Sequence, residues 1–296
     1  MHASRLISVV IPASNASLYV GQCLETVLAQ SYTNLEVIVV DDGSEDETVQ
    51  IIKRYPVKLI QQENQGAAAA RNAGIDAATG EYIHFMDVDD LINLEFYERM
   101  LEAIVSVDAD MACCGYVHER LPSFTSIVNE KFLYVSTDDK MRFANVFHQG
   151  NVWKYLYRVS FLRDRKLFFD ADLRNAHDKV FAIQAVYFSN KIISVPGAVY
   201  HYKERSNSLV TSLSRKKRQV RERSIKAANE FCKKFANDNQ IKVLSAPRYV
   251  TFQYALLGFL PLVKKRVYNS GRVRWYLLGL FIFQIKQKPL SRKVIS

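Results

Sequence analysis

Short apolar runs alternate with amphipathic stretches through the first half of the chain. Residues 5–11 read as a buried strand. Ser17 to Gln30 reads as a helix, with Leu18, Cys23, Val27 and Leu28 among its apolar positions and Asn15 or Ser17 as its cap. Leu35 to Val40 is a second strand, ending in Asp41-Asp42-Gly43-Ser44, and Glu45 to Tyr55 a second helix. Val57 to Gln61, the Ala-rich helix Gly66 to Ala78, and Tyr82 to Met86 continue the alternation. Strands and helices joined by short loops predict a parallel sheet with right-handed crossovers. Further on, the pattern predicts helices over 94–107, 137–147, 160–165 and 176–187. It predicts strands over 111–117 and 191–202, with 124–135 irregular or extended. Residues 215–239 read as an amphipathic helix with Val220, Ile225, Ala228, Phe231 and Phe235 as its apolar positions. Tyr249 to Val263 and Trp275 to Ile285 are aromatic and apolar and read as helices. Both are shorter than the ~20 residues of a membrane-spanning helix.

Composition changes this picture in one place. The chain has 296 residues, 49% apolar and 24% charged, which suits a folded globular protein. Residues 1–240 hold all 30 Asp and Glu and 29 of the 40 Lys and Arg, a net charge of −1; the last 56 residues hold 11 Lys and Arg and no acid. The formal +10 therefore belongs to the C-terminal end. A basic segment seeks a polyanion, and basic residues beside aromatic, Leu-rich stretches suit an anionic membrane face better than nucleic acid, for which no motif is present. The apolar run 6–11 is too short for a secretory leader and ends at Pro12 like a strand. Cys23, Cys113, Cys114 and Cys232 lack zinc spacing and read as reduced thiols of a cytoplasmic protein.

The candidate chemistry centres on Gly80-Glu81-Tyr82-Ile83-His84-Phe85-Met86-Asp87-Val88-Asp89-Asp90, where a turn and a strand lead into three carboxylates in four residues. Carboxylates packed at a strand end suit a hard divalent cation, Mg²⁺ or Mn²⁺, which completes its shell with water and substrate phosphates. Asp-x-Asp also occurs at Asp108/Asp110 and Asp170/Asp172, but only Asp87/Asp89 follows a strand launched from a turn. Open α/β sheets bind ligands at their strand ends. Asp41 and Asp42 end another strand, so one pair suits the hydrogen bonds of a base or ribose and the other a metal. The same residues also suit turns and helix caps. The glycine fingerprint of dinucleotide folds and the P-loop are both absent after the first strand, where Pro12-Ala13-Ser14-Asn15 stands.

The blocks Ser8-Val9-Val10-Ile11-Pro12, Val39-Val40-Asp41-Asp42-Gly43-Ser44, Gln62-Glu63-Asn64-Gln65-Gly66 with Ala70-Arg71-Asn72, and Gly80-Glu81-Tyr82-Ile83 with Asp87-Val88-Asp89-Asp90 resemble the family 2 glycosyltransferases. Fainter likenesses continue through Trp153-x-x-Leu156-Tyr157-Arg158, His177-Asp178 and Tyr200-x-Tyr202-x-x-Arg205-x-x-Ser208, so the resemblance covers residues 5–210. It implies the GT-A fold, a Rossmann-like, mainly parallel sheet flanked by helices. It also implies inverting transfer from a nucleotide-diphospho-sugar, often a UDP-sugar. By resemblance Pro12 and Asp42 lie at the base and ribose, Asp87 and Asp89 at the ribose and a Mg²⁺ or Mn²⁺ on the diphosphate, and Arg71 near the donor. Asp178 is the implied base, with His177 in place of the family's Glu and Ser14 in place of its usual Tyr. His201 is a candidate third metal ligand, Arg205 a candidate diphosphate contact, and Trp153, Tyr155 and Tyr157 either an acceptor platform or core.

The expected organisation is a GT-A catalytic domain over 1–212, with a nucleotide-sugar half (1–115) and an acceptor half (116–212), then a helical basic region over 213–296. The expected activity extends a bacterial exopolysaccharide, capsule or lipopolysaccharide on a lipid-linked or glycan acceptor, at the inner face of the cell membrane. Two alternatives stand beside it. A membrane-surface module that binds a sugar nucleotide without catalysis predicts no metal-dependent nucleotide binding. A sugar-phosphate nucleotidyltransferase predicts a Gly-rich basic loop after the first strand, which Pro12-Ala13-Ser14-Asn15 is not.

Overall fold

The computed structural model describes residues 5–120, 125–147, 150–203, 215–241, 249–256, 260–268, 273–277 and 293–294. In chain order the first elements are β1 (Ile7–Ala13), α1 (Val20–Leu28), β2 (Leu35–Asp42), α2 (Thr48–Ile52), β3 (Lys58–Gln62), α3 (Ala67–Ala77) and β4 (Tyr82–Phe85). There follow β5 (Leu91–Ile92), α4 (Phe96–Ser106), β6 (Met111–His118), β7 (Phe132–Tyr134), α5 (Thr137–Ala144), β8 (Tyr155–Arg158), α6 (Val159–Asp164), α7 (His177–Phe188), β9 (Ile192–Tyr202) and α8 (Arg215–Asp238). Most of the strands and helices read from the sequence are present, with ends moved by a few residues.

One ten-stranded sheet carries the fold, in the order β13-β7-β9-β6-β8-β4-β1-β2-β3, with β13 at Lys293–Val294 and β5 pairing on β9. The half from β4 to β3 is parallel, as the alternating pattern predicts. The other half is mixed: β8 runs antiparallel to both β4 and β6, and β6 parallel to β9. The C-terminal ends of β1, β2, β3, β4, β6 and β9 thus share one edge of the sheet. The ends of β8 and the start of β6, with Arg158 and Asp110, lie at the opposite edge.

The sheet is covered on both faces, which explains the largely apolar run of its central strand β1. In β1, Ile7, Val9 and Ile11 pack with α1 and α4, while Val10 faces α3 and the cluster that includes α5 and α7. Helix α3 lies close to the sheet because Gly74 has no side chain; a β-carbon there would stand 2.2 Å from Val10 Cγ1. That approach fixes the depth at which Arg71, one turn earlier, enters the protein.

Two sequence readings change. Where Tyr249 to Val263 and the start of Trp275 to Ile285 are expected to be helical, the chain forms β10 (Tyr249–Leu256), β11 (Leu260–Tyr268) and β12 (Val273–Leu277), paired antiparallel in a separate three-stranded sheet. Val, Tyr, Phe and Thr favour strands, and aromatic runs of this length are ambiguous by periodicity alone. These strands belong to a compact unit, Lys242–Ser291, distinct from a first unit of Met1–Ile241 with Arg292–Ser296. The expected boundary at 212/213 falls before α8, and the compact units divide after it. Second, α8 buries Ser224, Ala228, Cys232 and Ala236, an i, i+4 stripe of small residues, while Val220, Ile225 and Phe231 are exposed. Of the two readings of Trp153, Tyr155 and Tyr157, the structure takes core: both tyrosines are fully buried and Trp153 stacks on Tyr200 at 4.3 Å.

All four cysteines are buried and unpaired. No helix among the described residues is long and apolar enough to cross a membrane.

Candidate active site

The parallel register brings the predicted acidic residues to one edge. Ala13 lies opposite Asp41 across β1 and β2, and Asp42 opposite Gln62 across β2 and β3. Pro12 is half-buried beside Val40. Asp87 leaves the end of β4, which is the other neighbour of β1. The other two Asp-x-Asp pairs serve elsewhere. Asp108 and Asp110 hold Arg158 and the Asn190 amide at the far edge, and Asp170 accepts the Asp172 amide in a loop turn.

Asp42 is saturated by its own protein. One carboxylate oxygen accepts Gln62 Nε2 and the Gln65 amide, both at 2.8 Å, and the other accepts the Gly66 amide at 2.8 Å. It holds the β3–α3 loop in place, and Gly66 takes a positive φ of 96° there. Ser14, standing where the family has an aromatic, donates to the Asp42 carbonyl at 3.3 Å. Asp41 is the freer of the pair. Its Oδ2 accepts the Ser44 amide at 3.3 Å, while Oδ1 is buried with no hydrogen-bond partner. A buried carboxylate oxygen left open at the ligand edge is costly, and it suits an incoming N–H or O–H donor.

After β4 the chain alternates its exposure: Asp87 and Asp89 are half-exposed, Val88 and Asp90 buried. Two carboxylates therefore face the open side together, which fits a hard cation that takes its remaining ligands from water and phosphate. Asp90 faces inward. Its Oδ2 accepts the Tyr200 hydroxyl at 2.7 Å and its Oδ1 the Lys203 amide at 2.7 Å. Tyr200 also accepts the Asp87 amide at 3.1 Å, so β9 holds the acidic loop by two bonds. Burial, with Asp87 and Asp89 alongside, pushes the Asp90 carboxyl well above the usual range. His201 follows Tyr200 on β9, and successive side chains leave opposite faces of a strand. No group of three or more His, Cys, Asp or Glu side chains is gathered as a metal cluster among the described residues. Arg205 lies outside the described residues.

Arg71 joins the two halves of the site. Its guanidinium is buried and donates to Asp87 Oδ1 at 2.6 Å and to Asp178 Oδ1 at 3.1 Å; Nη1 also lies 2.7 Å from His177 Nε2. Burial pulls the Arg71 pKa down, but Asp178 and Asp87 hold it above its ordinary value. His177 Nδ1 faces the Leu173 carbonyl at 3.1 Å, which can only accept. Arg71 can only donate. His177 Nε2 also lies 3.2 Å from Asp178 Oδ1, so Arg71, His177 and Asp178 meet at one point. Asp178, in the first turn of α7, is about one-third exposed. Burial pushes its carboxyl up, the Arg71 guanidinium and then His177 override this, and the group settles at about 2. It is ionised at every physiological pH.

Sequence reasoning placed Arg71 near the donor but missed that it bridges Asp87 and Asp178. It also missed Tyr200 as the inner support of the acidic loop. The spacing of Tyr200 from Arg205 marked the region, but no local pattern links residue 200 to residue 90.

An acidic C-terminal edge on a sheet that is parallel through β4, with a buried arginine joining the last parallel strand to a carboxylate on a later helix, defines a GT-A-type nucleotide-sugar fold. Residues 8–165, more than half of the chain, match the family model for glycosyl transferase family 2, and the chain belongs to that family. It is 31% identical over 221 residues to a Bacillus subtilis chain named as a glycosyltransferase, EpsH, covering 71% of this chain and 64% of EpsH. The crystal structure of Staphylococcus aureus TarS 1-349 with UDP-GlcNAc superposes with a TM-score of 0.61 at 20% identity, covering 80% of this chain and 76% of that one. A mannosyltransferase of Pyrobaculum calidifontis, in complex with GDP-Man and Mn²⁺, superposes at 0.52 and 20% identity, covering 68% and 58%.

Proposed function

We propose that this protein transfers a sugar, with inversion, from a nucleotide-diphospho-sugar of the UDP type to a hydroxyl of a growing bacterial surface glycan. The observation that carries the reading is the Arg71 bridge, which ties the acidic end of β4 to the carboxylate of Asp178. Family membership, and UDP-GlcNAc in the similarly folded TarS, support the donor class. TarS is named as a poly(ribitol-phosphate) β-N-acetylglucosaminyltransferase, which fits an acceptor among cell-envelope polymers.

In this reading Asp41 Oδ1 accepts a base N–H, and Pro12 and the Asp42-held loop shape the base and ribose pocket. Asp87 and Asp89 would hold a Mg²⁺ or Mn²⁺ ion, with His201 as a candidate additional ligand, and the ion would supply positive charge for the departing diphosphate. The acceptor hydroxyl oxygen forms its bond to the anomeric carbon as the bond to phosphate breaks and its electron pair leaves with the nucleoside diphosphate. The hydroxyl proton passes to Asp178. A carboxylate held near 2 is a weak base, but the hydroxyl proton becomes acidic as the new bond forms, so a weak base at the right place suffices. Arg71 holds Asp178 ionised and sets its distance from Asp87. Arg205 is a candidate contact to the diphosphate.

Thermal unfolding with UDP, GDP and dTDP, each with and without Mn²⁺, tests the donor. Saturation a hundredfold over Kd stabilises by about 2.7 kcal/mol. A metal-dependent rise with one nucleotide, lost in Asp89→Ala, is the expected result; no rise with any of them would count against the reading and favour a non-catalytic module. The basic end of the chain and the exposed Val220, Ile225 and Phe231 of α8 support a peripheral position on an anionic membrane face, where a lipid-linked acceptor would lie. Sedimentation with anionic but not zwitterionic vesicles is the expected outcome, and equal sedimentation with both would remove the electrostatic argument.

A further inference from the structure

The loop between α6 and α7 brings a second arginine to the catalytic edge. Arg174 stands three residues before His177 and four before Asp178, and its side chain reaches across to the β3–α3 loop. The contact is close: a β-carbon on Gly66 would lie 3.0 Å from Arg174 Nη1, 3.5 Å from its Cδ and 3.8 Å from its Cζ. The missing side chain of Gly66 is what admits the guanidinium. The surface it rests on is firm, because the Gln65 and Gly66 amides are both held by Asp42. Arg174 therefore crosses from the segment that carries the base to the loop that borders the nucleotide pocket.

Its bonding is unusual for a side chain so placed. Arg174 is exposed, and no hydrogen bond or ion pair engages it among the described residues. Asp170 and Asp172, the acids of its own loop, are tied to each other by a turn. Arg71 is already engaged by Asp87, Asp178 and His177. Among the described residues the edge otherwise presents Asp41, Asp42, Asp87, Asp89 and Asp178, carboxylates that repel anions. A nucleoside diphosphate arriving there needs a cation beyond the one at Asp87 and Asp89. A planar guanidinium with free donors is the side chain best matched to phosphate oxygens.

We propose that Arg174 is a donor-binding residue that contacts the phosphate groups of the nucleotide-sugar from the acceptor side of the site. The proposal deepens the donor reading above and rests on it. It also gives a reason for glycine at position 66, since any larger residue would displace the guanidinium.

Isothermal titration of the full chain in Mn²⁺ tests this. The ligands are whichever of UDP, GDP or dTDP binds most tightly, and its parent nucleoside. Arg174→Ala is expected to weaken the diphosphate about 10- to 100-fold, the range of one or two charged hydrogen bonds, and to leave the nucleoside unchanged. Arg174→Lys should recover part of the loss, since a point charge attracts phosphate without the planar fork. The exposed side chain can be removed without opening the core, so unfolding temperatures should match. Diphosphate binding by Arg174→Ala within twofold of wild type would overturn the proposal. So would an equal loss with the nucleoside, which would place the contact at the base. If the wild type binds none of the three diphosphates, the donor reading fails first, and that result is distinct from either of the others.

Discussion

Replacing Arg71 with Met removes the charge at the centre of the site while keeping most of the volume. The lost contacts are the bonds to Asp87 at 2.6 Å and Asp178 at 3.1 Å and the approach to His177 at 2.7 Å. Breaking a buried ion pair by removing one partner costs about 3–5 kcal/mol. Here the two carboxylates left behind are 28% and 32% exposed. Water re-solvates them in part, and the cost of burying the guanidinium itself disappears. The expected loss of stability is therefore smaller, about 2 kcal/mol, or ~4–8 °C in Tm for a unit of this size. The kinetic effect separates this role from simple packing. In wild type Asp178 stays near 2 because Arg71 and then His177 override burial. Without Arg71 only His177 still opposes burial, and the acid limb of kcat/KM should move up by about 1–3 pH units, the usual response of a carboxylate to a neighbouring arginine. Freed of its competitor, Asp87 should also bind Mn²⁺ more tightly in the absence of nucleotide. The assay is sugar transfer from the donor found by thermal shift, between pH 4.5 and 8, with thermal unfolding alongside. Arg71→Lys serves as control: it restores charge but cannot reach two carboxylates with one fork. An acid limb that stays in place in Arg71→Met, in a folded protein, would refute the bridging role.

Three other outcomes follow from the packing around the site. His84 is fully buried, with Nε2 donating to the Trp153 carbonyl at 2.7 Å and Nδ1 bonded to the Tyr97 hydroxyl at 2.9 Å; burial lowers its pKa to about 4. A lowered histidine stabilises the fold fully above its unfolded pKa near 6.5 and loses that contribution as pH falls toward 4. Denaturant unfolding should therefore show a loss of about 2 kcal/mol between pH 8 and pH 5, and His84→Gln should remove that pH dependence, a result that equal slopes in both proteins would contradict. Gly74→Ala forces a β-carbon into Val10 and should cost about 1–3 kcal/mol by overpacking; because α3 must lift, transfer activity should fall more than the stability loss explains, whereas a wild-type Tm would show that the helix has room. Tyr200→Phe deletes the bonds to Asp90 and to the Asp87 amide; the expected effect is a loss of about 1–3 kcal/mol and a weaker Mn²⁺-dependent nucleotide shift, and an unchanged shift would show that β9 does not position the acidic loop.

Much of the fold could be read along the chain because its signals are local. β1 and β2 are apolar runs interrupted only at Ser8 and Glu36, and each ends where polar residues begin; α3 is rich in alanine and begins at a glycine. The acidic ends at Asp41, Asp42, Asp87 and Asp89 are visible as carboxylates that have no reason to cluster unless something binds them. The tail misled for the complementary reason. Residues 249–277 carry aromatic and β-branched residues in runs that suit either element, and a strand is decided by the partner it finds, here within a three-stranded sheet. The face of α8 misled similarly. Val220, Ile225 and Phe231 look like the buried side, but the buried stripe is Ser224, Ala228, Cys232 and Ala236, and of the large apolar residues it is Phe235 that packs on Tyr187 and Phe188 of α7.

The sequence by itself determined the alternation of strands and helices, the parallel core of the sheet and the residues able to hold a nucleotide and a cation, because each depends on neighbours a few positions away. The tertiary structure alone decided how those residues divide their work. Asp42 is spent on holding a loop, Asp41 keeps an open oxygen, Asp90 turns inward to Tyr200, and Arg71 binds carboxylates 16 and 107 positions away. A hydrogen bond is satisfied by whichever partner the fold brings within about 3 Å, and that distance is set by the packing of the whole sheet, which no stretch of the chain contains.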